Sequence, residues 1–396
     1  MRAVIFGAGR IGCGFAGLAL QRAGYEITFV TRNPELVRHL NAVGRYRVRL
    51  VDGRRSEEHV VAGVRALCVA DEDGVRRQLA VADLIATAVG AGRLPDVAPL
   101  IAAGLRQAER TVNVIAFENL VDAGPALAAL VARELPAAFS LRDHGFSGAV
   151  VDRAVSRRWG DPRSSEPLVF IGDPPDRFYV HGPSLRGTLP PVPGMVEVED
   201  FEAWFNRKLY TFSAGHATTA YIGYVKGYHY VHAAIRDPEV RATALTAMRE
   251  GQSGLAARYG RALAGDERDL EAIVSRFENA ALSDSVDRVA RDPRRKLGPR
   301  ERLAGGARLA AVAGVAPTAL PMAAAAALCF AAGAGGAAES LAMGWDNAEP
   351  QRSGLGFSKA FGVQVASAWQ EMQASWRPDT PMVHLSGLDE PAGTRR

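Results

Sequence analysis

An α/β fold in two parts is what this sequence predicts: strands alternating with helices around a parallel sheet, followed by a mostly α-helical C-terminal domain. Three observations predict it. A short apolar strand at residues 2–6 runs straight into a glycine-rich turn and then a helical pattern. Residues 182–194 contain Pro183, Pro190, Pro191 and Pro193, which neither a helix nor a central strand accommodates, so the first domain is expected to end there. From Asp200 onward the apolar residues recur at helical spacing. The expected domains are therefore residues 1–192 for the sheet, 193–380 for the helices, and 381–396 for a loose tail ending in Arg395-Arg396.

A chain of 396 residues has room for two cores, and 48% hydrophobic with 23% charged residues is an ordinary folded composition. The formal charge of +4 is mild, and arginine is scattered through many segments without long basic blocks or interleaved aromatics of the kind a nucleic-acid surface carries, so no nucleic-acid partner is expected and anionic small substrates explain the charge equally well. Cys13, Cys68 and Cys329 are odd in number and widely spaced, so neither a disulfide framework nor a zinc site is expected. The first strand follows Met1 directly and leaves no space for a leader, which predicts a cytoplasmic protein. Residues 309–338 form an apolar run, but Pro317, Pro321 and several glycines interrupt it; buried helices are expected there, not a membrane partner.

After the first strand comes Gly7-Ala8-Gly9-Arg10-Ile11-Gly12, and then a helix through Phe15, Leu18 and Leu20. Strand, G-x-G-x-x-G and helix in that order predict a Rossmann dinucleotide-binding domain, because the glycines let backbone approach a pyrophosphate at the helix N-terminus. Gly7, Gly9, Arg10, Ile11 and Gly12 are thus cofactor candidates; the alternative is a glycine-rich turn without a ligand. A second strand at residues 26–30 ends in Thr31-Arg32-Asn33, where an NAD-binding domain usually carries a carboxylate for the ribose 2′-hydroxyl. Arg32 can pair with a 2′-phosphate, so NADP is expected at least as readily as NAD. Alternatively Arg32 faces water and Asn33 makes the contact.

Residues 83–90 read as a buried strand entering a loop through Thr87, Ala88 and Val89. Residues 112–120 read as another strand, ending in Glu118-Asn119 at the carboxyl edge where ligands gather. On its own letters Asn119 is a helix N-cap for the segment near Asp122. Asp152 and Arg153 follow a further apolar strand and, read alone, form an ordinary ion pair.

In the second half, Lys208, Ser213 and His216 fall on one helical stretch. Relative to Lys208, a regular helix places Ser213 about 140° and His216 about 80° round, with about 12 Å of axial span. An amine, a hydroxyl and an imidazole then share a broad face. A partly desolvated lysine beside a second cation loses its proton more readily and can act as general acid/base. The plainer alternative is a surface lysine and a packed histidine. His229 and His232 lack carboxylate or thiolate partners at matching spacing, so no metal is expected. Arg288, Arg291, Arg294, Arg295 and Lys296 place five cations within nine residues: a solvated helix end, or a clamp for phosphate or vicinal hydroxyls.

Residues 207–227, Arg-Lys-Leu-Tyr-Thr-Phe-Ser-Ala-Gly-His-Ala-Thr-Thr-Ala-Tyr-Ile-Gly-Tyr-Val-Lys-Gly, resemble the active-site signature of the polyol-specific long-chain dehydrogenases, particularly their mannitol-1-phosphate 5-dehydrogenase branch. That signature is Lys, four residues, Asn, two residues, His. Lys208 and His216 match, while Ser213 stands where the family has asparagine. Further matches are the Thr87-Ala88-Val89-Gly90 loop, Asn119, Val151-Asp152-Arg153, Arg276-Phe277-Glu278-Asn279, and the run from Arg288 to Leu297.

The resemblance implies a metal-independent oxidoreductase that uses NAD or NADP to interconvert a polyol, or polyol phosphate, and the ketose. It implies Lys208 as the acid/base, His216 and Asn119 as groups that orient and polarise the reacting oxygen, and Ser213 in the place of the asparagine that helps hold it. Thr87, Ala88, Val89 and Asp152 fall beside the cofactor, and Arg288, Arg291 and Lys296 line the polyol pocket, with Arg294 at the surface. The implied partner is a small polyol or sugar phosphate, and a monomer or small homo-oligomer is expected. A serine donates one hydrogen bond with no carbonyl, so the contact is lost or made through water, at a cost on the order of 10²-fold in rate. Together with Thr31-Arg32 this leaves open a relative recruited to another sugar or nucleoside-like substrate. A redox-neutral epimerase or dehydratase, and a non-catalytic dinucleotide sensor, are the readings from other classes.

Overall fold

The computed structural model describes residues 1–53, 55–159, 167–334 and 357–375. The chain forms two compact units that divide between Glu202 and Ala203. The expected tail at 381–396 lies outside the described residues.

The strands of the first unit are β1 (Arg2–Phe6), β2 (Glu26–Thr31), β3 (Arg45–Val51), β4 (Ser56–Ala62), β5 (Arg65–Cys68), β6 (Leu84–Thr87), β7 (Asn113–Ala116), β8 (Gly145–Val151), β9 (Val155–Trp159), β10 (Val169–Gly172), β11 (Phe178–His181) and β12 (Met195–Val198). The larger sheet has the order β5-β2-β1-β6-β7-β8-β11-β12. Its run from β5 to β8 is parallel, and β11 turns antiparallel to β8. Strands buried on both faces read as continuous apolar runs, and β1 shows why. Ala3 and Ile5 enter a core with Phe15 and Phe29, while Val4 and Phe6 enter another with Val75, Leu79 and Ile101.

The crossovers carry α1 (Leu18–Arg22), α2 (Pro34–Val43), α3 (Glu72–Ala80), α4 (Leu94–Leu105) and α5 (Ala123–Arg133). A π-helical stretch, Gly12–Gly17, leads into α1. A smaller sheet, β4-β3-β10-β9, lies against it. There Tyr46 packs edge-on to Phe29 and Phe170, and its hydroxyl donates to the Cys13 carbonyl at 2.9 Å.

The sheet continues past the expected boundary at residue 192. β12 pairs in parallel with β11, Phe178 opposite Met195 through His181 opposite Val198. A parallel pair needs a crossover connection, and the prolines of 183–193 occupy it. They mark a connection inside the domain, not its end.

The second unit is helical in its described residues: α6 (Phe201–Tyr210, beginning in the first unit), α7 (Phe212–Val225), α8 (Val231–Ala234), α9 (Pro238–Tyr259), α10 (Arg261–Ala264), α11 (Glu267–Phe277), α12 (Val286–Ala290), α13 (Pro293–Lys296), α14 (Ala304–Val312), α15 (Ala319–Ala334) and α16 (Lys359–Ser375). Helix α7 is apolar on most sides and packs against α9, α12 and α15, as a central core helix does. The N-terminus of α15 is satisfied by Glu250, 4% exposed, which accepts from the backbone N–H groups of Thr318, Ala319 and Leu320. No described helix is long and apolar enough to cross a membrane.

The single helix expected to carry Lys208, Ser213 and His216 is broken at Thr211, whose φ of −110° and ψ of −84° leave the helical region. Its hydroxyl donates back to the Arg207 carbonyl at 2.6 Å, a local bond that bends helices. Lys208 therefore belongs to α6, and Ser213 and His216 to α7. The uniform-helix angles do not carry across the break.

Candidate active site

The glycine-rich turn is fixed by close approach. Gly7 has φ of +101°, and a Cβ there would strike the Ala88 carbonyl; a Cβ on Gly12 would strike the carbonyl of Gly7. Gly9 differs, because a Cβ there would meet nothing within 4 Å. The turn opens on a cleft of about 570 Å³ whose lining includes Gly7, Gly9, Thr31, Arg32, Asn33, Ala88 and Val89. Gly14 and Gly17, which the hexamer omits, let the following helix press on Val155, Tyr46 and Phe29. The Arg10 guanidinium donates to the Ser156 carbonyl at 3.1 Å, and Ile11 packs into the core beneath.

At the end of β2, the Asn33 side chain caps α2 by accepting from Leu36 N–H at 3.1 Å, and the Thr31 hydroxyl accepts from Asn33 N–H at 3.3 Å. Arg32 is exposed on the rim, and its guanidinium makes no hydrogen bond or ion pair among the described residues. Asp96 also lines this cleft but is paired with Arg93 at 3.3 Å.

Glu118 organises the next loop, a role the sequence reading passed over. It is 3% exposed. One carboxylate oxygen accepts from the Thr87 hydroxyl at 2.7 Å, the other from Val89 N–H at 2.9 Å. Burial pushes its carboxyl up, with those hydrogen bonds opposing. The signal was present, since a buried carboxylate at a strand end requires donors. Asn119, next in the chain, is exposed; Asp122 occupies the cap position of α5, so Asn119 is not that cap. Asp152 N–H donates to the Arg177 carbonyl at 3.0 Å. Arg153, 4% exposed, donates to the Pro175 carbonyl at 2.9 Å and lies 5.2 Å over the Phe15 ring.

In the second unit, His216 is the best-supported side chain. Its ring stacks on Phe277 at 5.0 Å and 16°, with Phe212 tilted at 5.6 Å. Nε2 lies 3.1 Å from Asp284 Oδ2, and Asp284 Oδ1 accepts from Arg288 Nε at 2.6 Å and from its Nη2. Burial pushes the imidazole below its usual value, with Asp284 opposing. His216 and Arg288 hold Asp284 below the usual carboxylate range although its own burial works the other way. Asp284 and Phe277 were not singled out from the letters as partners of His216. The Asp284/Arg288 spacing of four residues was the available signal.

Ser213 is 7% exposed, and its hydroxyl makes no hydrogen bond among the described residues. Lys208 is half-buried on α6. Of the expected substrate ligands, Arg288 is engaged by Asp284, and Arg291 is exposed and donates to the Arg288 carbonyl at 3.2 Å. Lys296 is 7% exposed, donates to the Val289 and Arg291 carbonyls, and is lowered to about 7 by burial and by the Arg302 and Arg295 cations. Arg294 is exposed, as expected.

Residues 1–205 match the mannitol dehydrogenase Rossmann domain and residues 200–372 the mannitol dehydrogenase C-terminal domain. The chain is 39% identical over 315 residues to the mannitol-1-phosphate 5-dehydrogenase of Geobacillus thermodenitrificans, covering 76% of this chain and 80% of that protein. It is 39% identical over 337 residues to that of Brevibacillus brevis, covering 83% and 86%. The fold is similar to that of Pseudomonas fluorescens mannitol 2-dehydrogenase, solved as a ternary complex with NAD and D-mannitol: TM-score 0.75, 16% identity, 94% of this chain and 92% of that one. A D-sorbitol dehydrogenase in substrate-free form gives TM-score 0.71 at 17% identity, over 94% and 93%.

Proposed function

The chain belongs to the mannitol dehydrogenase family, and from that premise we propose that it interconverts a polyol phosphate and the corresponding ketose phosphate with a nicotinamide dinucleotide. The observation that carries this reading is the match through both domains to relatives named mannitol-1-phosphate 5-dehydrogenase. The first unit fits the cofactor, because the open side of Gly9 leaves the room that a phosphate approaching backbone requires. When bound, the nicotinamide supplies the acceptor for the hydride of a carbinol carbon.

The chain's own residues do the rest. The turn of Gly7, Gly9, Arg10, Ile11 and Gly12 receives the pyrophosphate, with Gly9 leaving the room and Gly7 and Gly12 shaping the backbone, the Thr87-Ala88-Val89 loop and Asp152 flank the nicotinamide half, and the rim at Thr31, Arg32 and Asn33 takes the adenosine ribose. Arg32, exposed at the cleft and without a hydrogen bond or ion pair among the described residues, favours a 2′-phosphate, so NADP is the better-held form. Lys208 takes the proton of the reacting hydroxyl, and His216 and Asn119 orient and polarise that oxygen. Ser213 gives one hydroxyl where the family has an amide, so the contact to the reacting oxygen is lost or made through a water. Of Arg288, Arg291 and Lys296, the exposed Arg291 meets the distal hydroxyls or the phosphate, beside Arg288 held by Asp284 and Lys296 turned onto two carbonyls.

Incubation with NAD or NADP and a panel of alditols and alditol phosphates, followed by nicotinamide absorbance, tests the reading. Net reduction with an alditol phosphate supports it. Product without net reduced cofactor identifies a redox-neutral enzyme instead, and tight cofactor binding without product identifies a sensor.

A further inference from the structure

We infer that Asp284 is a positioning residue: its carboxylate holds His216 in the tautomer protonated at Nε2, leaving Nδ1 as a hydrogen-bond acceptor. The role in turnover rests on the dehydrogenase reading; the tautomer itself rests on geometry.

Asp284 is 8% exposed, so its oxygens answer to protein groups. One faces His216 Nε2 at 3.1 Å, and the other is taken by the Arg288 fork. An ionised carboxylate only accepts, so the nitrogen facing it must carry the hydrogen. The Phe277 stack fixes the plane of the ring, and Phe212, with the Arg276 guanidinium 4.4 Å over it, closes a second side. The cations of Arg288 and Lys296 act on the ring as well and oppose a second proton. A neutral imidazole protonated at Nε2 has a bare Nδ1. Such a nitrogen accepts a hydrogen bond from a carbinol hydroxyl and aligns its oxygen for deprotonation by another group. Arg288 in turn anchors the carboxylate, so a residue expected to bind substrate acts here on the orientation of His216.

The test uses full-length protein with ¹⁵N-labelled histidine and long-range ¹H–¹⁵N spectra. Among eight histidines, the signals lost in His216→Gln belong to His216. Expected in the wild type are a protonated Nε2 and an unprotonated Nδ1. In Asp284→Asn the carboxamide can donate to Nε2, and the other tautomer becomes populated. Its kcat with the best alditol phosphate then falls about 10- to 100-fold, with KM nearly unchanged, by analogy with the loss of a carboxylate partner behind a metal-bound imidazole. Asp284→Glu, which keeps the carboxylate, retains the wild-type signature. A wild-type His216 protonated at Nδ1 overturns the inference without any variant, and so does an Asp284→Asn protein with unchanged tautomer and kcat. A protein with the expected tautomer that turns over no alditol leaves this assignment standing and overturns the dehydrogenase reading instead.

Discussion

The glycine turn of the first unit and the His216 network of the second are built on opposite principles. In the turn the constraints are steric and local: Gly7 and Gly12 are required because backbone carbonyls stand where a Cβ would go, all within a few residues and one neighbouring loop. The network consists of side chains brought together from α7, the loop before α12, α12 itself and α11, each depending on charge or ring plane. The turn is therefore sensitive to volume, and the second-unit site to protonation.

The largest expected effect lies on the protonation side. Lys208→Ala should lower kcat by about 10²- to 10⁴-fold, the range for loss of a general acid/base. Dinucleotide affinity should stay as it was, since the cleft lining belongs to the first unit. Steady-state rates and a fluorescence titration with cofactor check both halves. A Lys208→Ala enzyme with full kcat removes the amine from the chemistry.

Within the turn, two alanine substitutions should separate. Gly12→Ala drives a Cβ into the Gly7 carbonyl, and overpacking of that kind costs about 1–3 kcal/mol, so Tm falls. Gly9→Ala meets no protein atom within 4 Å, so Tm holds while the dinucleotide Kd rises by about tenfold or more, roughly 1.4 kcal/mol. Equal losses of Tm in both variants would erase the distinction between a glycine required by the fold and one required by the ligand.

Arg32→Ala sharpens the same region with a smaller effect. An exposed guanidinium on a phosphate contributes about 1.5 kcal/mol, so NADP should bind about tenfold more weakly and NAD about as before. Isothermal titration with each cofactor reads this directly. An equal loss for both would place Arg32 on the shared pyrophosphate.

The contrast also explains what the letters could disclose. The first strand, the glycine turn and the helix behind it are set by neighbours in sequence, and β1, the Gly12–Gly17 stretch and α1 follow in that order. The prolines of 183–193 misled because a proline-rich crossover and a domain linker have the same composition; only the pairing of β12 with β11 distinguishes them. Thr211 hid the helix break, since threonine is unremarkable in a helical pattern until its hydroxyl is seen on the Arg207 carbonyl. Lys208 and His216 stood out through spacing and resemblance. Asp284 did not, because nothing local to residue 284 names a histidine on another helix as its partner. Lys296 reads as a helix-end cation or a clamp for substrate, and packing turns its ammonium onto two carbonyls.

Glu118 joins the two principles, being a buried charge that fixes a backbone loop. Burial raises its carboxyl pKa above the ordinary glutamate value, which is the one it keeps in the unfolded chain. Between the two values the folded protein binds more protons than the unfolded one, so stability falls as pH rises through that window and stays lower above it. Glu118→Gln cannot ionise and lacks this decline. Its amide still offers a carbonyl to Val89 N–H and an N–H₂ to the Thr87 hydroxyl, so at acid pH it should lie within about 1 kcal/mol of the wild type. Urea melts across a pH series should then show the variant gaining on the wild type as pH rises from acid toward neutral. Parallel curves would mean that Val89 and Thr87 stabilise the carboxylate as fully as water does, and that the loop carries no buried charge to relieve.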